Sequence, residues 1–127
     1  MNQEIKYVPK VWGAEYWIVN RDYCGKKLAL KKGYRCSMHY HRKKDETFYV
    51  IKGMVLMELG LKKWIMKSGD TVHINIGARH RFTGIEDSEI IEFSTHHEDE
   101  DSYRISNSEK ISENEFDEIM FEFKQNV

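Results

Sequence analysis

One proline, Pro9, stands in the whole 127-residue chain, which also lacks a Gly/Ser-rich linker or an internal repeat. Nothing therefore marks a boundary between domains, and residues 1–127 are expected to form a single domain around one core. Cysteine is nearly as scarce. Cys24 and Cys36 lie apart without a CxxC pattern, so they are expected as reduced thiols rather than as a disulfide or a redox pair. No apolar run approaches the roughly 18 residues of a membrane span. The opening MNQEIKYVPKVWGAEYW lacks the apolar stretch of a secretory leader. A soluble cytoplasmic protein without a membrane partner is expected. Excess charge of one sign is also missing: 20 Lys and Arg face 21 Asp and Glu, a net charge of −1. With no basic surplus to neutralise phosphates, nucleic acid is not an expected partner.

What the chain does have is short segments rich in β-branched and aromatic residues: EYWIVN, KKLALKK, ETFYVIK, MVLMEL, KKWIMK, DTVHINI and SEIIEFST. Glycines at 25, 33, 53, 60, 69, 77 and 84 separate them. Short strands at that interval predict an all-β sandwich or barrel, and no helical pattern interrupts residues 15–95. Gly53 and Gly60 are expected at hairpin turns. The barrel is expected over about residues 11–95 and an acidic, solvated loop over 96–105. After it, Ser112 and Glu115 have the spacing of a capping box. Phe116, Ile119, Met120 and Phe123 then fall on one face of a helix predicted over about 112–124, packing on the barrel or on a partner subunit.

The chemistry concentrates in GYRCSMHYHRKKDETFYVIKG, residues 33–53. Alternate residues of a strand share a face, so His39 and His41 project together, as two imidazoles gripping one ion must. The run Arg42 to Asp45 is long enough to turn, and a hairpin would return Glu46 beside them. His80, in NIGARHRFTG, supplies a third imidazole. Three histidines and a carboxylate suit one divalent transition metal, zinc first, with manganese, iron, nickel and cobalt as alternatives. His73 is expected in the barrel wall, and His96 and His97 at a solvated edge.

Gly33, His39-x-His41, Glu46 and Gly53 resemble the first signature of the cupin superfamily at every position. Gly69, Asn75-x-Gly77, His80 and Gly84 resemble the second, with Asn75 where proline is usual and Gly84 where asparagine is usual. The resemblance implies a double-stranded β-helix (jelly-roll) barrel, here followed by a short C-terminal amphipathic helix. A closer resemblance, to the type II mannose-6-phosphate isomerase cupins, including those fused to mannose-1-phosphate guanylyltransferases, runs over about residues 11–95. It rests on Val11-Trp12-Gly13-Ala14-Glu15, Ser37 to Arg42, Ile76 to Arg81 and Glu89-Ile90-Ile91-Glu92. It departs in the spacing from His41 to Glu46, which is longer than in that family and follows the general cupin pattern.

This resemblance implies an aldose–ketose isomerase acting on a sugar or sugar phosphate. Glu46 and Glu92 are candidate bases. Arg42, Lys43, Lys44, Arg79 and Arg81 are candidate phosphate-binding cations or plain rim charges. Tyr40, Tyr49 and Trp64 are sugar platforms or core. A mononuclear Fe(II) dioxygenase, which needs an apolar inner barrel without a cation cluster, and a non-catalytic sugar-binding cupin are the rival readings. A homodimer joined through edge strands or the tail helix is expected.

Overall fold

A computed structural model describes residues 4–123. The chain enters through β1 (Lys6–Lys10), β2 (Gly13–Asn20) and β3 (Tyr23–Leu30). Two short strands follow, β4 (Tyr34–Arg35) and β5 (His39–Tyr40), and then β6 (Glu46–Lys52), β7 (Met54–Leu59) and β8 (Lys62–Lys67). The barrel strands end with β9 (Thr71–Ile74), β10 (His80–Gly84) and β11 (Ser88–Thr95). A 3₁₀ turn (Asp99–Asp101), β12 (Tyr103–Arg104), β13 (Glu109–Lys110) and helix α1 (Glu113–Phe123) complete it. One sheet runs β1-β2-β3-β11-β6-β9; the other runs β12-β5-β10-β4-β13, with β7 joined to β10 and to β8. All pairs are antiparallel, and the two sheets form the jelly-roll barrel. No helix among the described residues is long and apolar enough to cross a membrane.

Period-2 alternation sets what faces inward. Along β3, Cys24, Lys26, Leu28 and Leu30 are buried while the residues between them are not. Register then aligns inward rows across the sheet: Lys6 opposite Trp17, Trp17 opposite Lys26, Lys26 opposite Glu92 and Glu92 opposite Phe48. The main core gathers Trp12, Leu28, Phe48, Val50, Val55, Met57, Met66, Phe82 and Ile90. Cys24 and Cys36 are both free and buried.

Two expected hairpins differ from what forms. Gly60 does turn β7 into β8. Gly53, at φ +91°, instead carries the chain from one sheet to the other, since β6 pairs with β9 and β11 while β7 pairs with β8 and β10. A Cβ there would stand 2.6 Å from the Asp87 carbonyl oxygen, so close approach as well as positive φ selects glycine. Likewise Glu46 does not return by a hairpin. β5 lies in one sheet and β6 in the other, and the loop between them bends across the barrel.

The tail is bound to the barrel throughout its described length. β12 pairs with β5 and β13 with β4, covering an otherwise open strand edge. In α1 the Glu115 amide donates to Ser112 Oγ at 3.1 Å, one half of the capping box. The Glu115 carboxylate pairs instead with the Arg35 guanidinium. Phe116, Ile119, Met120 and Phe123 pack with Leu56, Ile85 and Ile111 in a second cluster, so the helix covers the barrel. Residue 124, the last of the expected helix, lies outside the described residues.

Candidate metal centre

His39 opens β5 and His80 opens β10, and the two are directly opposite in the ladder. His41 follows β5 by one residue. Their ring centroids are 4.3 Å (His39 and His80), 5.1 Å (His39 and His41) and 5.4 Å (His41 and His80) apart. One ligand nitrogen from each ring falls within 4.8 Å of the others. Glu46, first residue of β6, faces them from the other sheet: its Oε2 is 3.1 Å from His41 Nε2 and 3.3 Å from His80 Nε2.

Hydrogen bonds assign the tautomers. His39 Nδ1 faces the Ser37 carbonyl at 2.8 Å, His41 Nδ1 the Asp101 carbonyl at 2.8 Å and His80 Nδ1 the Ala78 carbonyl at 3.0 Å. A carbonyl only accepts, so each Nδ1 carries a proton, which leaves Nε2 of each ring as the atom available to a metal ion. Burial, then the neighbouring His80, pushes His39 down to about 3, and the His41 ring adds to this. Burial alone would raise the Glu46 carboxyl. The facing His41 and His80 rings and the Lys44 ammonium outweigh it and hold Glu46 well below the ordinary carboxylate range. The result is three imidazoles and a carboxylate meeting at one buried point. Glu46 Oε2 and His80 Nε2 are buried without a hydrogen-bond partner among the described residues. A bound cation would satisfy such orphaned atoms, and the residues present fit a divalent metal.

The loop delivering Glu46 is organised by the acidic tail. Asp101 is buried, and its carboxylate accepts from the amides of Arg42 (2.8 Å), Lys43 (3.1 and 3.2 Å) and Lys44 (3.0 Å). The same residue's carbonyl orients His41. The segment expected as a solvated loop therefore shapes the site, because the turning amides of residues 42–44 need acceptors and Asp101 supplies them.

Lys44 departs most from its expected place at the rim. It is buried, with Nζ 3.1 Å from Glu92 Oε2, 2.9 Å from His97 Nδ1 and 3.6 Å from Glu46 Oε1. Burial pulls this ammonium's pKa down, but the charges of Glu92 and Glu46 reverse the effect and leave it raised. Glu92 points inward from β11. Its Oε2 also accepts from Ser94 Oγ at 2.8 Å, whereas its Oε1 has no hydrogen-bond partner among the described residues.

The site opens into a cavity of about 300 Å³. Trp12, Leu28, Phe48 and Phe82 line its apolar side, and Glu15, Trp17, Glu92, His97 and Asp99 its polar side. Arg42, Lys43, Lys44, Arg79 and Arg81 do not line it. Arg42 stacks on Tyr103, Arg79 lies over Tyr40, Lys43 pairs with Glu98, and Arg81 is forked to Glu58 at 2.7 and 3.0 Å. The cations at the cavity are Lys6, Lys10 and Arg104. Lys6 and Lys10 were legible in principle, since Lys6-x-Val8-x-Lys10 alternates like a strand. Arg104 had no local signal. Tyr40, Tyr49 and Trp64 do not line the cavity either; Trp12 and Trp17 do.

His73 does lie on β9, exposed, with Asp45 2.7 Å away. His97 corrects the expectation of a solvated edge. Its side chain is 9% exposed, accepts from Lys44, donates through Nε2 to Asp99 at 2.9 Å and packs edge-on against Trp17.

Residues 27–96 match the Cupin domain family. The chain is a cupin. No curated protein matches the chain in sequence. Among solved structures, this cupin superposes on KdgF from Halomonas sp. with a TM-score of 0.65 and 21% identity, covering 68% of this chain and 81% of that one. It superposes on Streptomyces PAC13 with uridine with a TM-score of 0.72 and 16% identity, covering 88% and 90%. The capsular polysaccharide assembling protein CapF from Staphylococcus aureus matches with a TM-score of 0.71 and 17% identity over 81% of this chain, which spans only 34% of that one. These likenesses establish the shared fold.

Proposed function

We propose that this cupin is a divalent-metal enzyme that moves a proton beside a carbonyl of a small carbohydrate, with aldose–ketose isomerisation as the first reading. The observation carrying the proposal is the meeting of three imidazoles with Glu46 beside a cavity that Glu92 also lines. His39, His41, His80 and Glu46 would hold the ion, zinc first. When bound, it supplies Lewis acidity toward the carbonyl and adjacent hydroxyl of the substrate.

The chain's own residues supply the rest. Glu92 takes the proton from the carbon beside the carbonyl at Oε1 and returns it to the former carbonyl carbon, while the adjacent hydroxyl's proton passes to the former carbonyl oxygen. Its Oε2 stays fixed by Lys44 and Ser94, so the carboxylate is aimed rather than free to rotate. Trp12, Phe48 and Phe82 exclude water from one side of the cavity.

Dehydration is the second reading. It begins with the same proton removal, followed by loss of a hydroxyl from the next carbon. The likeness to Pac13, described as a nucleoside dehydratase, over 88% of this chain favours it. The cavity's charged wall is not the apolar shelter a dioxygenase needs, which argues against an Fe(II) oxygenase.

Two measurements test the proposal. Elemental analysis should find about one equivalent of metal per chain, lost in His80→Ala. In D₂O, the metal-loaded protein should wash deuterium into mannose 6-phosphate beside its carbonyl, and Glu92→Gln should not. Metal uptake without exchange on any aldose or ketose would leave a sugar-binding cupin, and a folded chain that takes up no metal would overturn the proposal.

The homodimer is likewise a proposal. Tyr7, Tyr23, Tyr49, Ile51 and Phe93 are exposed on strands of the six-stranded sheet, which supports it. Light scattering at the mass of one chain would refute it.

A further inference from the structure

The polar wall of the cavity is unevenly paired. Each of its carboxylates has a partner close by. Glu15 accepts from Lys26 at 3.2 Å and from Trp17 Nε1 at 2.8 Å; Glu92 pairs with Lys44; Asp99 pairs with His97. The cations that line the same cavity are not matched in this way. The Arg104 side chain has no hydrogen bond or ion pair to any described residue, and Lys6 has no carboxylate partner among the described residues, its ammonium resting over the Trp17 ring at 4.4 Å. Lys10 stands 3.9 Å from Glu15 Oε2, a long contact, while the other two donors both sit on Oε1.

These cations frame the opening from both sides. Lys6 and Lys10 share the inward face of β1. Arg104 comes from β12, which the ladder holds directly opposite His39. Lys26 and Lys44 do not line the cavity; both are buried and pair with carboxylates that do. His97, inside this wall, reports the resulting field. Burial first, then Lys44 and Lys26, hold its pKa below the ordinary histidine value despite Asp99 beside it. The lining holds Lys6, Lys10 and Arg104 against Glu15, Glu46, Glu92 and Asp99; because Lys26 and Lys44 already pair with Glu15, Glu46 and Glu92, Lys6 and Arg104 are left at the mouth without a carboxylate partner among the described residues. A concave site with unpaired cations at its mouth concentrates anions.

We infer that the ligand of this cavity carries an anionic group, a carboxylate or a phosphate, held at the mouth by Lys6, Lys10 and Arg104 while its other end reaches the histidines. This rests on the carbohydrate reading above and narrows it to acidic sugars or sugar phosphates. A cavity of about 300 Å³ is at the small end for ligand sites, which fits a monosaccharide or nucleoside rather than a polymer.

The test is calorimetric titration of the zinc-loaded full chain with glucuronate, mannose 6-phosphate and the neutral sugars glucose and mannose. The anionic sugars should bind about tenfold or more tightly than their neutral counterparts, a gap that shrinks as ionic strength rises from about 0.02 to about 0.3 M. Preference for glucuronate would assign a carboxylate and preference for mannose 6-phosphate a phosphate; equal binding would assign a site for either anion.

The double variant Lys6→Gln/Lys10→Gln and, separately, Arg104→Gln should each erase most of the gap without changing neutral-sugar binding or zinc content. Lys6→Arg/Lys10→Arg should keep it. Lys6 and Arg104 are exposed and Lys10 is half-buried, and an unchanged melting temperature would separate lost recognition from lost fold. Equal affinity for charged and neutral sugars, no binding of either anionic sugar, or an unaltered gap in the glutamine variants would overturn the inference while leaving the metal reading untouched. Anion preference retained by a chain that takes up no zinc would do the reverse.

Discussion

Around Val50, Val55, Met57 and Met66 the barrel interior is closed, with none of these residues more than 1% exposed. Around Lys26, Lys44, Glu46 and Glu92 it is nearly as closed, with none more than 3% exposed, yet each of these side chains carries a charge. The first region is what a barrel needs: apolar surface removed from water, at about 25 cal/mol per Å². The second is what stability alone would not select. Taking two ammoniums and two carboxylates out of water costs several kcal/mol per ion, and their mutual attraction rarely returns more than that. Apolar residues of the same volume would hold the barrel equally well. What the charges do in the structure is hold position: Lys44 pairs with both Glu46 and Glu92, and Lys26 pairs with Glu15.

The sharpest way to break this comparison is to damage each half by a similar amount. Lys44→Met leaves Glu46 and Glu92 buried without their cation and should cost about 3–5 kcal/mol in urea unfolding. It should also weaken zinc binding about 10- to 100-fold, because the carboxylate facing the histidines loses its anchor. Met57→Ala, in the apolar half, should cost about 2–5 kcal/mol by leaving a cavity, with zinc affinity unchanged. If Met57→Ala sheds zinc as readily as Lys44→Met, the two halves are not separable and the assignment of roles fails.

The same division runs through what the sequence discloses. His39, His41, Glu46 and His80 were readable because strand alternation and the signature spacing are local facts about the chain. The barrel was readable for the same reason, from short β-branched runs between glycines. Lys44 was not, because nothing in Arg42-Lys43-Lys44-Asp45 says which lysine turns inward. That depends on Asp101, far along the chain, gathering the loop amides. Lys26 carried a weak signal, a charge on the inward face of an otherwise apolar alternation. His97 and Arg104 carried none, since their places come from the tail pairing back across β5 and from Asn20 holding the His97 backbone at 2.8 and 3.0 Å. Which residues are candidate ligands is a local property here, and their orientation is a long-range one.

A smaller change should expose that long-range contribution. Asp101→Ala removes no ligand and no apolar contact, but it leaves the amides of Arg42, Lys43 and Lys44 without their acceptor. A stability loss of about 1–3 kcal/mol is expected, with zinc affinity down about tenfold through the loosened loop. Asp101→Asn, which keeps one acceptor oxygen, should fall between. Wild-type zinc affinity in Asp101→Ala would mean that the tail covers the site without shaping it.

The mildest perturbation is pH, applied to chelator-treated protein so that no metal competes with protons. His39 is held near 3 when folded against an ordinary value of about 6.5. Between those values the unfolded chain binds a proton at this position that the folded chain refuses, so stability must rise with pH across the window. The contribution is complete above about pH 6.5 and is lost progressively as the pH falls toward 3. Replacing His39 with Gln should flatten this part of the stability profile while leaving acid unfolding by the carboxylates in place. Zinc should suppress the same slope, since an ion on Nε2 excludes the proton in the folded state. A wild-type profile equally steep with and without zinc would show that protons and metal do not share this nitrogen, and His39 would have to be struck from the ligand set.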